Sequence, residues 1–249
     1  MKQLLNIITV TKDDLNGVAA TIKSTKTLRN YPGVKQIIID SSTDEAKTAV
    51  KTLAESNDNV DYFWQEPSGI SVAFNMGLSH AESEWVWFLN GNDRVHRNVN
   101  TENLLYLLHE SRADAIIFEI EYDQSKKITR HPPMWAQWPP LKAWIPHPAT
   151  LTRSHLYKKY GHFNPSYHIA MDYEFWIRCF SENVVVDNIS FPLVTFDQSG
   201  VSQLQMQSLS LEAVTIIKRH LWKLIAIWLK GGLSIWQSWR HFLNKSRPS

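Results

Sequence analysis

The first half of the chain alternates short apolar runs with segments of helical periodicity. Leu4 to Thr11 is an apolar run of strand length. Asp13 and Asp14 stand where a helix N-cap is wanted, and Leu15, Val18, Ala19 and Ile22 keep helical spacing after them. Val34 to Asp40 predicts a second strand centred on Ile37, Ile38 and Ile39. The polar turn from Asp40 to Asp44 then leads into a helix with Thr43 or Asp44 as cap and Ala46, Val50 and Leu53 as its inner face. Val60 to Trp64 predicts a third strand. Pro67, Ser68 and Gly69 open a helix with small or apolar residues at 70, 73, 74, 77, 78 and 81, where Gly77 would let the helix pack closely on a sheet. Thr101 to Glu110 predicts a helix and Ala115 to Ile120 a strand. Strands alternating with helices of ten to fifteen residues predict an α/β fold with a mostly parallel sheet flanked by helices.

The stretch Trp85-Val86-Trp87-Phe88-Leu89-Asn90-Gly91-Asn92-Asp93 changes from apolar to polar within one residue. Its apolar part predicts a strand buried on both faces. Ligands of open α/β sheets sit beyond the carboxyl ends of strands, which places Asp93 at the mouth of a pocket with Asn90 and Asn92 beside it. Oxygen-rich side chains there suit Mg²⁺ or Mn²⁺. The same residues also suit a plain strand followed by an Asn-Gly turn. No G-x-G-x-x-G follows the first strand and no G-x-x-x-x-G-K-[ST] occurs, so dinucleotide and P-loop fingerprints are missing.

The second half is less regular. The segment 134–148 is rich in Pro and carries Trp135, Trp138 and Trp144, which excludes one regular element there. His147 to Thr152 predicts a short strand, and Arg153 to Tyr160 a short helix that Gly161 terminates. Met171 to Phe180 predicts a helix with Asp172 in its first turn. Val184 to Val186 and Phe191 to Phe196 predict two strands, 197–202 a flexible loop, and a helical pattern starts near Leu204.

Composition adds a partition. The net charge is +2, but from Glu212 onward seven Lys or Arg face one acid, a balance of +6, which leaves 2 − 6 = −4 for the rest. An acidic body with a basic, Trp-rich tail points to an anionic surface. Leu221 to Leu229 is apolar but short and interrupted by Lys223. It falls below the roughly twenty apolar residues of a spanning helix and suits one lying in the membrane interface; packing on the protein or in a homodimer is the alternative. The tail holds too much Trp, Leu and Ile for a simple nucleic-acid arm. Cys179 is the single cysteine, so a disulfide framework or cysteine zinc cluster is excluded. No signal peptide is expected at the amino end.

Three ordered segments carry a resemblance. They are Ile7-Ile8-Thr9-Val10-Thr11 with Ile38 to Asp44, Glu66 to Gly77 leading on to Phe88–Asp93, and His147-Pro148-Ala149-Thr150 through Gly161-His162-Phe163 to Ala170–Arg178. Over residues 4 to 203 the chain resembles the family-two glycosyltransferases of the GT-A fold, especially bacterial enzymes that build surface polysaccharides. The resemblance implies a sugar-nucleotide donor, a glycan or lipid-linked acceptor, a divalent metal and an inverting transfer. Thr11 and Asp40 would contact base and ribose, with Thr9 as a further candidate. Asn75 would lie near the diphosphate or donor sugar. Asn92-Asp93 would be the metal signature with Asp93 the ligand, and Asp172 the catalytic base. His147 would face the acceptor groove, where Trp144 also suits a sugar or lipid, and the 197–202 loop would close over the site. Three positions depart from the family pattern: Asn92 where an acid is usual, Met171 before the proposed base, and Lys12 where Tyr is common.

The domain expectation is a glycosyltransferase unit over 1–203, with a nucleotide-sugar half to residue 120 and an acceptor half beyond it, followed by a helical tail over 204–249. It would work at the cytoplasmic face of the membrane. Other readings stay open. Asp172 also suits an ordinary helix N-terminal acid, Asp40 a turn residue and His147 a loop histidine. Glu174 is expected to pair or to solvate its helix, and Cys179 to be a small core residue. A catalytically silent glycan-binding protein draws support from Asn92. A sugar-phosphate nucleotidyltransferase would want a basic Gly-rich first loop, which Lys12-Asp13-Asp14 does not supply.

Overall fold

Among the described residues nine strands form one sheet in the order β3-β2-β1-β4-β8-β6-β9-β5, with β7 paired to β6. The elements are β1 (Leu5–Thr11), α1 (Leu15–Arg29), β2 (Val34–Asp40), α2 (Asp44–Glu55), β3 (Val60–Trp64), α3 (Ile70–Ser79), β4 (Trp85–Phe88), β5 (Arg94–Val95), α4 (Thr101–Glu110), β6 (Ala115–Tyr122), β7 (Ile128–Thr129), β8 (Thr150–Arg153), α5 (Ser154–Tyr160), α6 (Met171–Phe180) and β9 (Val186–Phe196). A further helix, α7, is described over 211–226. The structure is a computed structural model and describes residues 3–129, 145–180, 182, 184–198, 211–226 and 229.

The strands β3, β2, β1 and β4 are parallel neighbours. β8 then joins β4 to β6 by running antiparallel to both, and β9 resumes the common direction beside β6. Six strands therefore share one direction, as the alternation of strands and helices predicts. All four residues of β4 are buried, with a core cluster on each face of this strand. Ile8, Val86 and Phe88 pack with α3, α5 and α6, while Ile7, Trp85 and Trp87 pack with α4. The indole N–H groups of Trp85 and Trp87 donate to the carbonyls of Leu108 and Pro148, so these wide side chains bury no orphan donor.

Local rules account for the elements. Asp14 caps α1 by accepting from Gly17 N at 2.8 Å. A Cβ on Gly77 would lie 2.4 Å from Ile8 Cγ2, so the close approach of α3 to β1 needs a glycine there. Gly161, at φ +83°, ends α5 as predicted.

Several expectations are corrected. His147 to Ala149 form a 3-10 turn, and only Thr150–Arg153 is strand; Pro146 and Pro148 fix the turn's backbone and remove ladder donors. The two predicted strands at the end of the domain are one strand, β9, bulged where it passes Pro192. Neither Thr43 nor Asp44 caps α2 through its side chain. Asp44 sits at φ +47°, and Asp13 reaches across instead to accept from Thr43 N at 3.0 Å.

The tail's first turns belong to the fold. The boundary expected at 203/204 lies outside the described residues. Beyond it, Ile216 and Leu224 of α7 are buried with Met171 and Phe175 of α6. The Glu212 carboxylate accepts from the N–H groups of His168, Ile169 and Ala170, at 2.8, 3.0 and 2.8 Å, just ahead of α6. Glu174 pairs with Arg178 at 3.0 Å and with His220 of α7 at 3.3 Å. Cys179 is buried, and burial pushes its thiol pKa up. No helix among the described residues is long and apolar enough to cross a membrane.

Candidate active site

A cleft of about 440 Å³ opens beyond the carboxyl ends of β1, β2 and β4. Val10, Thr11 and Ser41 form one side, the turn after β4 supplies Asn90, Gly91 and Asp93, and Gly69, Ile70 and Ala73 bring in the start of α3. His147, Phe196 and Asp197 close the far side. The location follows from the topology, because the parallel strands β1, β2 and β4 end here and their backbones diverge into loops.

The turn 90–93 is held rigidly. Thr21 of α1 places its hydroxyl 3.0 Å from Asn90 O and 2.8 Å from Asp93 O. Asn92 has φ +70°, a left-handed conformation that Asn tolerates better than most residues. Its amide donates to Asp14 Oδ2 at 3.2 Å and its backbone N–H to Gly17 O at 3.1 Å. A Cβ on Gly17 would meet Asp14 Oδ2 at 2.0 Å and Asn92 Cγ at 2.9 Å, so α1 approaches the turn only because Gly17 has no side chain.

This clamp turns Asp93 inward. The residue is 2% exposed, and its Oδ1 accepts from Asp197 N at 3.1 Å. Burial pushes its carboxyl pKa up to about 8; the Asp197 N–H opposes the rise and the Asp197 charge adds to it. Two acids thus meet at one corner of the cleft. Among the described residues no cluster of three or more His, Cys, Asp or Glu forms a ready cation cage. A hard cation would find the Asp93 and Asp197 carboxylates here and would draw its other ligands from phosphate and water.

The other sequence-predicted residues divide into wall and support. Thr11 lines the cleft. Asp40 is fully buried: Ser42 N donates to Oδ1 at 2.8 Å and the Tyr62 hydroxyl to Oδ2 at 2.8 Å. Asp40 does not line the cleft and is fully buried, so a direct contact to a ligand requires the residues covering it to move, although its oxygens keep free lone pairs. Burial, and then the Asp40 bond, raise the Tyr62 pKa and keep it a donor. Thr9 lies in the core between Leu89 O and Gln36 Nε2. Asn75 spends its amide on Phe163, donating to its carbonyl and accepting from its N–H. Trp144, Trp135, Trp138 and loop positions 199–202 lie outside the described residues.

On the far side, His147 faces the cleft from its 3-10 turn, with the edge of Phe74 against its ring. Its Nδ1 lies 3.5 Å from Asp172 Oδ2, and its Nε2 3.1 Å from Asn90 Nδ2. Asp172 is 4% exposed, and its other oxygen accepts from Tyr173 N at 2.7 Å. Asp172 thus stands behind His147.

Residues 6–179 match the family model described as glycosyl transferase family 2. The chain belongs to glycosyl transferase family 2. An uncharacterized glycosyltransferase of Mycobacterium tuberculosis, MT1564, is 26% identical over 204 residues, covering 79% of this chain and 76% of that protein. Structures of S. aureus TarS 1-349 in complex with UDP and with UDP-GlcNAc superpose with TM-scores of 0.65 and 0.66 at 16% and 17% identity. They cover 87% and 93% of this chain, which in turn spans 65% and 73% of those TarS chains. The mannosyltransferase PcManGT from Pyrobaculum calidifontis, in complex with GDP-Man and Mn2+, gives 0.61 at 14% identity, covering 91% of this chain and 73% of its own. The fold is that of these GT-A neighbours, a mixed α/β sheet flanked by helices.

Against that background, this family-2 glycosyltransferase shows cleft residues to which sequence reading gave no individual role, Asp197 having entered only as part of the 197–202 loop. Ser41 and Asp197 are wall residues. Asp197 meets Asp93 across 104 positions, with no local signal to reveal it. Lys12, noted only as a departure, is the one Lys or Arg among the described lining residues.

Proposed function

We propose that this glycosyltransferase moves a sugar from a nucleoside diphosphate donor to a hydroxyl of a glycan or lipid-linked acceptor, with inversion, in the building of a surface polysaccharide. One observation carries the reading: a single cleft at the strand ends has paired acids, Asp93 and Asp197, at one corner and His147 backed by Asp172 at the other. The first corner suits a diphosphate with its cation and the second an acceptor hydroxyl.

In this reading Thr11 touches the nucleotide. Thr9, Asp40, Asn75 and Asn92 shape its seat through their hydrogen bonds to neighbouring strands and turns. Lys12 offers a positive charge to the phosphates. Asp93, with Asp197, holds Mg²⁺ or Mn²⁺, which when bound neutralises the leaving diphosphate. The fit rests on the Asp93 carboxyl, buried and pushed up to about 8 beside a second acid, an environment that a divalent cation relieves.

The acceptor oxygen bonds to the anomeric carbon as the bond from that carbon to the diphosphate oxygen breaks, and the electron pair leaves with the diphosphate. The acceptor's proton passes to the side of the cleft where Asp172 supplies the basicity. A single displacement inverts the anomeric centre, and the rigid cleft walls hold both sugars in line.

The membrane is the proposed location. The outer face of α7 exposes Leu211, Val214, Leu221 and Trp222, with Lys218, Arg219 and Lys223 among them. Apolar anchors flanked by bases suit the interface of an anionic leaflet. The test of function is a thermal-shift panel of sugar nucleotides with Mn²⁺. One donor should raise the melting temperature and EDTA should erase the gain. A flat panel counts against the proposal.

A further inference from the structure

Asp172 does not line the cleft, while His147, which it faces, does. The imidazole is fixed from several directions. Pro146 and Pro148 set the backbone of its turn, and the Trp87 indole on β4 donates to Pro148 O at 2.7 Å. Thr150 Oγ1 donates to Pro146 O at 2.8 Å, and Phe74 packs against the ring. Asn90 Nδ2 approaches Nε2 at 3.1 Å. With that N–H donating, Nε2 is the acceptor, and the ring proton sits on Nδ1, facing Asp172 Oδ2 at 3.5 Å. Nδ1 is buried and makes no hydrogen bond, so the Asp172 oxygen is the partner it faces. A contact of that length closes into a hydrogen bond with a shift of a few tenths of an ångström, as catalytic contacts do when substrate binds. Asp172 is itself held: Tyr173 N occupies Oδ1, and Glu212 of α7 gathers the three N–H groups just before α6.

We infer that His147 takes the proton from the acceptor hydroxyl and that Asp172 acts through it, so that base catalysis uses an imidazole backed by a carboxylate. The inference rests on the proposed transfer reaction and assigns its proton. As the acceptor oxygen bonds to the anomeric carbon and the diphosphate departs, the O–H proton moves to Nε2, displacing the Asn90 N–H. The imidazolium keeps its Nδ1–H toward Asp172 Oδ2, whose negative charge stabilises it. The proton then leaves to solvent through the cleft. No second reactant is needed. Asn90 and Asp172 are positioning residues in this scheme: one reserves the Nε2 lone pair and the other orients Nδ1–H, the logic that makes a histidine-carboxylate pair effective elsewhere.

The experiment compares turnover, donor affinity and chemical rescue in the full chain with a donor and acceptor that the wild type uses. His147→Ala should lower kcat by about a hundredfold or more, the range for a lost general base, with donor affinity unchanged. Added imidazole should restore at least about a tenth of the loss, because the vacated space opens on the cleft. His147→Gln, which keeps the shape without a basic nitrogen, should be as slow as His147→Ala, and its melting temperature guards against a folding defect. Asp172→Asn combined with His147→Ala should be little slower than the worse single variant and should lose the imidazole rescue. If His147→Ala and His147→Gln turn over within a few-fold of wild type while Asp172→Asn is dead, Asp172 acts directly. The inference then fails and the proposed function stands. Loss in His147→Ala without rescue, accompanied by weaker acceptor binding, also overturns it. A wild type that transfers with no donor sinks both.

Discussion

The Asn92 side-chain amide donates to Asp14 Oδ2 at 3.2 Å, tying the turn after β4 to the N-cap of α1. The residue that departs from the family's acidic signature thus has a structural reason to be Asn: it faces a carboxylate and holds φ +70°. Restoring an acid there sets two carboxylates against each other and removes a bond to a charged group. Asn92→Asp should lower stability at pH 7 by about 1–2 kcal/mol, within the range for such bonds, or roughly 2–8 °C in melting temperature for a chain of this size. The loss should shrink as pH falls toward 4. Calorimetry at both pH values checks this.

Burial of the Asp93 carboxyl should make stability fall as pH rises. Its folded pKa of about 8 exceeds the ordinary 3.8, so between those values the native state holds a proton that the unfolded chain has lost, and stability declines as pH rises through that window. Asp93→Asn removes the liability. Its melting temperature should match wild type near pH 4 and exceed it increasingly up to about pH 8. Mn²⁺ with a bound nucleotide should raise the wild type and leave the variant unchanged. Parallel melting curves at all pH values would contradict the account of this carboxyl.

Glu212 links α7 to the helix that bears Asp172. Glu212→Ala leaves three N–H donors just ahead of α6 without their acceptor and should cost about 1 kcal/mol, the scale of a lost helix cap. Hydrogen exchange at residues 168–173 should quicken, and turnover should fall more than donor affinity. Unchanged exchange there would show that α7 does not brace the site.

The outer face of α7 should decide membrane attachment. The full chain should sediment with anionic vesicles at low salt and release as salt rises. Trp222, at 81% exposed, should be the strongest anchor, so Leu221→Ala with Trp222→Ala should weaken sedimentation by about tenfold while donor binding stays. No sedimentation of the wild type would remove the membrane role.

Much of this site was readable where a local rule governs. The apolar run of β4 and its polar stop placed Asp93 at the strand end. The Asp14 cap and the Gly77 approach followed from short-range spacing. Contacts across the chain were not readable. Nothing near Asp40 announces that Tyr62 claims its carboxylate, and nothing near Asn75 announces that Phe163 takes both ends of its amide. The 3-10 turn at His147 escaped because flanking prolines make an extended pattern and a tight turn alike in sequence. The step from Asp172 to the cleft through His147 also depends on two elements meeting in space, and a one-dimensional motif names only the carboxylate.

The proposed activity is the binding and use of a nucleoside diphosphate sugar in this cleft. The most direct measurement is release of nucleoside diphosphate from a panel of sugar nucleotides by the full chain, with Mn²⁺ or Mg²⁺, with and without EDTA, and by Asp93→Ala. Release from at least one donor is expected, stopped by EDTA and lost in Asp93→Ala although that variant remains folded. Release that persists at the wild-type rate in Asp93→Ala, or a folded wild type that neither binds nor cleaves any donor, would contradict it.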